Sequence, residues 1–171
     1  MKLLRTKPGE FPAELEAQVD ALLRDAFSGD GERYNYGPEP PALIVLLLDA
    51  RTLVGHLAAY VREVLLERQK STIGLVGGVA VAGPYRRQGH ARTMLADAHS
   101  YFLARKISFS VLFASEPAVY RSSGYREMVN RTQFLDHDGS WKEFVYCGGM
   151  VAELTRKRWR DGDLNLCGPT V

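Results

Sequence analysis

The apolar positions of the chain follow two periods, and the changes between them mark out the elements. Over residues 12–27, Leu15, Val19, Leu22, Leu23 and Ala26 recur at helical spacing, with Pro12 suited to a first turn, so an amphipathic helix is predicted there. GDGERYNYGPEPP (29–41) carries glycines, prolines and polar residues and predicts a loop. ALIVLLLD (42–49) is a continuous apolar run of strand length, the pattern of a strand buried on both faces. Beyond DAR (49–51), TLVGHLAAYVREVLL (52–66) predicts the long strand of a hairpin, QKS (69–71) its turn, and TIGLVGGVAVA (72–82) the returning strand.

From His90 to Arg105 the period returns to that of a helix. Ala91, Leu95, Ala98 and Phe102 fall on one stripe. ISFSVLFAS (107–115) predicts a strand, and PAVYRSSGY (117–125) a short helix ending near Gly124. The stretch 131–154 predicts two strands around the turn DHDG. Helices interleaved with a three-strand meander and a late hairpin point to an α/β (α+β) fold with a mixed sheet flanked by helices. At 171 residues the expectation is a single domain over 1–171, with 156–171 as a C-terminal tail.

Composition changes this picture little. The formal net charge of +2 is too small to imply a nucleic-acid partner. The short basic run TRKRWR (155–160) is followed at once by Asp161 and Asp163 and is expected to be a solvated surface. No apolar stretch is long enough to cross a membrane, and the start lacks an apolar run of leader length, so a cytoplasmic location is expected. Cys147 and Cys167 form neither a C-x-x-C pair nor a disulfide framework. His56, His90, His99 and His137 lack metal-ligand spacing, and no metal is expected.

The chemistry concentrates in YRRQGHARTMLADA (85–98), where cationic residues and Gly89 stand at the predicted start of a helix. Free backbone N–H groups and the helix dipole at such a start attract anions, phosphate above all. Gly89 allows close approach of the backbone to an oxygen, and the guanidinium groups of Arg86 and Arg87 match phosphate geometry. The loop has neither the G-x-G-x-x-G fingerprint of dinucleotide folds nor the G-x-x-x-x-G-K-[ST] of a P-loop. Gly77 and Gly78 are costly inside a strand and predict a bulge or the close approach of another chain.

Arg86, Gly89 and Ala91, read as R-x-x-G-x-A between an apolar strand and an amphipathic helix, resemble the pyrophosphate-binding signature of the GNAT acetyltransferase superfamily, Q/R-x-x-G-x-G/A. VYRSSGY (119–125) resembles the family's second signature, and the resemblance runs from about residue 12 to residue 154. The family usually places proline three residues before the arginine; here Gly83 stands there, with Pro84 next. The resemblance implies a GNAT fold with a central, mostly antiparallel sheet of about six to seven strands. It also implies acetyl-CoA as the acyl donor. Its pyrophosphate is expected against Arg86, Arg87, Gln88, Gly89, His90 and Ala91, and its pantetheine arm against the backbone of Val79, Ala80 and Val81, with the Val81 N–H as an oxyanion donor. Tyr120 matches the family tyrosine that protonates the leaving thiolate. Glu63 is the candidate base, with His56 on the opposite face of the same strand as a second option and water as a third.

DAFSGD (25–30), WRDGDL (159–164), GHLAAYVREV (55–64) and GGVAVAGPYRRQG (77–89) further resemble aminoglycoside 2′-N-acetyltransferases. Carried over, Asp30 and Asp163 match carboxylates that contact the polycationic acceptor, a role such anions suit. Tyr34, Tyr36 and Trp159 can stack on sugar rings or simply pack the loop and tail. The match departs at Gly77, where that group has a glutamate, at Asn35, where it has a second acidic residue, and at LNL (164–166), where it has an aromatic. The expected activity is acetyl transfer from acetyl-CoA to the primary amine of a small molecule such as an amino sugar. Acetylation of a protein or peptide amine and a non-catalytic CoA-binding sensor are the alternatives, and a homodimer is compatible with each.

Overall fold

In the computed structural model, residues 1–171 are described except 28–35, 37–38, 137 and 146–147. The described residues form ten strands and three α-helices in the order β1 (Lys2–Thr6), α1 (Ala13–Phe27), β2 (Leu43–Asp49), β3 (Thr52–Leu66), β4 (Gln69–Val81), α2 (His90–Ala104), β5 (Phe109–Phe113), α3 (Ala118–Arg121), β6 (Tyr125–Glu127), β7 (Arg131–Leu135), β8 (Trp141–Val145), β9 (Gly149–Glu153) and β10 (Leu164–Asn165). The mixed sheet flanked by helices is the expected class, with more strands than the six or seven anticipated. The contacts divide the chain into two compact units, Met1–Tyr60 with Gly77–Ala98, and Val61–Val76 with His99–Val171.

In the first unit β1 pairs antiparallel with β2, and β2 with β3, the latter through a register shift at Leu47/Leu48. Helix α1 forms because its apolar stripe has a sheet to cover: Leu15, Val19, Leu22 and Leu23 pack with Ile44, Leu46, Leu53 and Ala80. The run at 43–47 is buried at every position, as a strand covered on both faces requires. Strand β1, whose charged residues hide its alternation, was not anticipated from the pattern. Met94 of α2 lies against Gly55, where an added Cβ would stand 3.0 Å from the thioether sulfur.

In the second unit the strand order is β6-β9-β5-β4-β3-β10-β7-β8, with β4–β5 and β10–β7 parallel and β3–β10, β5–β9, β6–β9 and β7–β8 antiparallel. The hairpin turn falls at Glu67 and Arg68, both left-handed (φ +51° and +65°), and β4 begins at Gln69, three residues earlier than the strand start at Thr72 predicted from QKS. The stretch 131–154 holds three strands. β7 and β8 flank the predicted DHDG turn, whereas β9 pairs with β5 and β6. Gly148 separates them: its φ is +69°, and a Cβ there would lie 2.0 Å from the Ala114 carbonyl oxygen. Trp159 is buried edge-on to Phe109, and its indole N–H donates to Asn130 Oδ1 at 2.7 Å. With Leu164 and Leu166 it ties the C-terminal tail into this unit, so Trp159 packs the tail, one of the two roles open to it from the sequence.

A buried polar line runs through the second unit. Tyr125 Oη stands 2.6 Å from Ser110 Oγ and 3.0 Å from His99 Nε2. Burial lowers the His99 pKa to about 4, so the ring is neutral at pH 7 and the three groups form one buried hydrogen-bonded line.

Two outcomes follow. Gly74 faces Phe102, and an added Cβ would sit 2.4 Å from the ring, so Gly74→Ala is expected to lower unfolding free energy by about 1–3 kcal/mol in a denaturant titration. Because the folded pKa of His99 lies below the ordinary value of 6.5, the unfolded chain binds the extra proton. Stability present above pH 6.5 is therefore lost as pH falls toward 4, by up to ~1 kcal/mol per pH unit from this residue, and His99→Gln flattens that part of the stability curve.

Candidate functional site

In the first unit, the glycine pair of β4 sets the backbone of the candidate donor site. Gly78 is left-handed, φ +57°, the conformation of a strand bulge and one a Cβ would strain. Its carbonyl oxygen lies 2.7 Å from His56 Nδ1. A carbonyl only accepts, so Nδ1 carries the proton and Nε2 is left as an acceptor, which the Tyr36 hydroxyl meets at 2.9 Å. The His56 ring is fully buried; burial brings its pKa down to about 4 against the opposing pull of the Gly78 bond, and the ring is neutral at pH 7.

Beyond Gly78, Ala80 is buried while Val79 and Val81 are half-buried. The Val81 carbonyl accepts from Arg86 Nε at 2.9 Å, and Ala82 N–H donates to the Val54 carbonyl at 2.9 Å. Arg86 thus uses one donor on the strand it follows, and its Nη2 lies 3.9 Å from Asp25. Pro84 sits in a single 3-10 turn, Gly83–Tyr85, after which Arg87 (φ +62°) and Gly89 (φ +82°) are both left-handed.

Helix α2 then starts at His90, and its first backbone bond runs from Thr93 N–H to the Gly89 carbonyl at 3.0 Å. The N–H groups of Gly89, His90, Ala91 and Arg92 therefore have no acceptor within the helix. A Cβ at Gly89 would meet nothing within 4 Å, so glycine is favoured here by its φ and not by crowding. His90 Nε2 is buried without a hydrogen-bond partner among the described residues, beside the Tyr85 ring at 6.3 Å. Gln88 is turned back onto the Pro84 carbonyl at 3.0 Å, while Arg87 is exposed. Open N–H groups, a helix dipole and exposed guanidinium groups make this cradle suited to a phosphate-bearing ligand.

The second unit holds the remaining described candidates. Tyr120, on α3, is half-buried with its ring edge-on to Tyr125 at 6.2 Å. Burial, and to a lesser degree the Glu116 carboxylate, raise its pKa, so the phenol stays protonated at neutral pH. Ser123, three residues on, has a buried hydroxyl without a partner among the described residues. Glu63 is exposed on β3 and pairs with Lys70 at 2.9 Å. Asp163 is exposed, 3.5 Å from Arg131 Nε, and its carbonyl accepts Glu67 N–H at 2.8 Å. Asp30, Tyr34 and Asn35 lie outside the described residues. Among the described residues no group of three or more His, Cys, Asp or Glu is placed to hold a metal ion, and no helix is long and apolar enough to cross a membrane.

The sequence reading brought out the cradle and the glycine pair but not what holds them. The His56–Gly78 bond spans 22 positions, and the only sequence signal for it is a lone histidine within the apolar run of β3 next to a glycine-broken partner strand. Arg86, read as a phosphate ligand, also serves the Val81 carbonyl.

The acetyltransferase (GNAT) domain family model matches residues 9–128, which includes the cradle, the Gly78 bend and Tyr120. Among solved structures, the GNAT family N-acetyltransferase YhbS of Escherichia coli, determined in complex with CoA, is similar at a TM-score of 0.64 and 18% identity, over 97% of this chain and 90% of that one. An aminoglycoside acetyltransferase from an uncultured soil metagenomic sample, in complex with trehalose, is similar at a TM-score of 0.57 and 16% identity, over 71% of this chain and 86% of that one. The GCN5-related N-acetyltransferase of Kribbella flavida reaches a TM-score of 0.59 at 13% identity; 76% of this chain matches 34% of that one, and the chain spans about a third of the length of several such larger relatives. At these identities the structural likeness speaks for the fold, whereas the family model covers the larger part of the chain. With the cradle at the start of α2 and the bent strand before it, the chain belongs to the GNAT acetyltransferase family.

Proposed function

We propose that this protein is an N-acetyltransferase that moves an acetyl group from acetyl-CoA to the primary amine of a small molecule, with an amino sugar or aminoglycoside as the favoured acceptor class. The observation that carries the reading is the phosphate cradle of residues 86–91 directly after the bent strand segment Val79–Val81. The room beside Gly89, where a Cβ would meet nothing within 4 Å, and a His90 Nε2 without a partner among the described residues suit a pyrophosphate-bearing ligand. The CoA complex of the similar Escherichia coli enzyme supports the donor, and the fold shared with an aminoglycoside acetyltransferase supports the acceptor class.

In this reading the backbone N–H groups of 87–91 and the Arg87 guanidinium bind the pyrophosphate, and Val79–Val81 align the acyl arm. The thioester supplies an activated acetyl carbonyl. As the amine attacks it, the Val81 N–H stabilises the negative charge developing on the carbonyl oxygen. Tyr120, kept protonated by burial, gives its phenol proton to the departing thiolate. Asp30, Tyr34, Tyr36 and Asp163 are assigned to the acceptor. Glu63 stays assigned to the amine proton, directly or through water.

Acetyl-CoA at 100-fold over its Kd is expected to stabilise the protein by about 2.7 kcal/mol, read as a shift of Tm; an unmoved Tm would remove the donor assignment. Tyr120→Phe is expected to lower kcat about 10²-fold with the Kd for acetyl-CoA within about twofold of wild type. A transfer assay against aminoglycosides, polyamines, amino acids and peptides decides the acceptor. Turnover of peptides alone would replace the small-molecule reading, and tight CoA binding with no turnover of any amine would mark a sensor domain.

A further inference from the structure

Three residues of β4, Val79–Val81, lie between two side-chain clamps. At one end the Gly78 carbonyl accepts from His56 Nδ1 at 2.7 Å; at the other the Val81 carbonyl accepts from Arg86 Nε at 2.9 Å. A strand that bends through a left-handed residue loses regular ladder bonding at the bend, so its carbonyl needs another donor. Here that donor is a wholly buried ring on β3, and the same ring accepts a proton from Tyr36 at 2.9 Å, in the loop that precedes β2. Tyr36 is held in addition through its carbonyl, which accepts from the Tyr60 hydroxyl at 3.3 Å, and it packs against the core of the first unit.

The line Tyr36 O–H···Nε2–His56–Nδ1–H···O=C Gly78 has one donor direction throughout. The other tautomer would set the bare Nδ1 against the Gly78 carbonyl oxygen, two acceptors face to face, and a ring flip would turn carbon atoms toward both partners and leave both bonds unmade. The line therefore has a single stable arrangement.

We infer that His56 is a positioning residue for acetyl transfer, holding the bent segment Val79–Val81 in line with the loop position of Tyr36, so that acceptor-side and donor-side contacts are set by one imidazole. The inference rests on the acetyl-CoA reading above and adds to it a residue that touches neither reactant. His56 acts through Gly78 on the donor side and through Tyr36 on the acceptor side, and its two nitrogens separate the two effects.

Three variants test this in the full chain, each checked for folding by its thermal transition. His56→Leu removes both bonds and is expected to weaken acetyl-CoA binding at least 10-fold by calorimetry and to raise the acceptor KM. His56→Asn keeps a donor near the Nδ1 position and is expected to restore the acetyl-CoA Kd to within about threefold of wild type, with the acceptor KM still raised about 5- to 10-fold. Tyr36→Phe is expected to raise the acceptor KM by a similar factor and to leave the acetyl-CoA Kd within about twofold. The double variant Tyr36→Phe/His56→Asn should be no worse than either single one, since both break the same bond.

A folded His56→Leu protein that binds acetyl-CoA as wild type does would overturn the inference. So would an Asn variant as poor in donor binding as the Leu variant, or a Tyr36→Phe effect that falls on donor and acceptor alike. Should His56→Leu not fold, the Asn and Phe variants carry the decision through the separation of donor and acceptor constants. A wild-type protein that does not bind acetyl-CoA marks the failure of the donor reading itself, and this inference falls with it.

Discussion

The bend at Gly78 depends on a buried hydrogen bond between a ring nitrogen and a backbone carbonyl. A strand in a sheet has its polar groups spoken for by its neighbours, and a residue at φ +57° takes its peptide out of that arrangement. In a buried setting the freed carbonyl must find a donor or cost as much as a lost hydrogen bond. His56 supplies it at 2.7 Å, and the apolar surroundings that make the bond necessary also keep the ring neutral, with a donor at one nitrogen and an acceptor at the other. Glycine is the residue that adopts such a φ without penalty, so the two requirements, a glycine on one strand and a neutral imidazole on the next, belong together.

From that bend the rest of the candidate donor site follows along the chain. Arg86 caps the Val81 carbonyl, Pro84 starts a tight turn, and left-handed Arg87 and Gly89 bring the backbone into the start of α2. A non-glycine residue at positive φ, as at Arg87, is a local strain of the kind held at sites where backbone donors must point outward. The helix behind the cradle is anchored by its apolar stripe, with Met94, Leu95 and Ala98 fully buried.

Much of the fold was legible in the sequence because period reports burial. The helix at 13–27, the strand at 43–49 and the strand at 52–66 stand where the spacing of Leu15, Val19 and Leu22 and the run LIVLLLD set them. What the pattern hid has local causes. β1 carries charges on an outer strand. The turn at Glu67 and Arg68 uses left-handed residues of unremarkable type. β8 and β9 read as one strand because Gly148, which turns the chain under the Ala114 carbonyl, stands in an otherwise strand-like run. β10 has two residues and exists only because Leu66 and Thr132 offer it partners.

The sequence by itself determined the anion cradle, since Arg86, Gly89, Ala91 and the stripe behind them are contiguous and their chemistry is that of a helix start. It also carried the glycine pair that lets β4 bend, and the tyrosine of the short helix before Gly124. Only the tertiary structure decided what those glycines face, because the bond from His56 to Gly78 and the one from Tyr36 to His56 join residues 22 and 20 positions apart. It likewise decided that Trp159 is a packing residue bonded to Asn130, and that Arg86 serves a backbone carbonyl. The physical reason is the same in each case. A backbone conformation or a helix start is encoded within a few residues, whereas the partner of a buried polar group is chosen by which strands the sheet brings side by side.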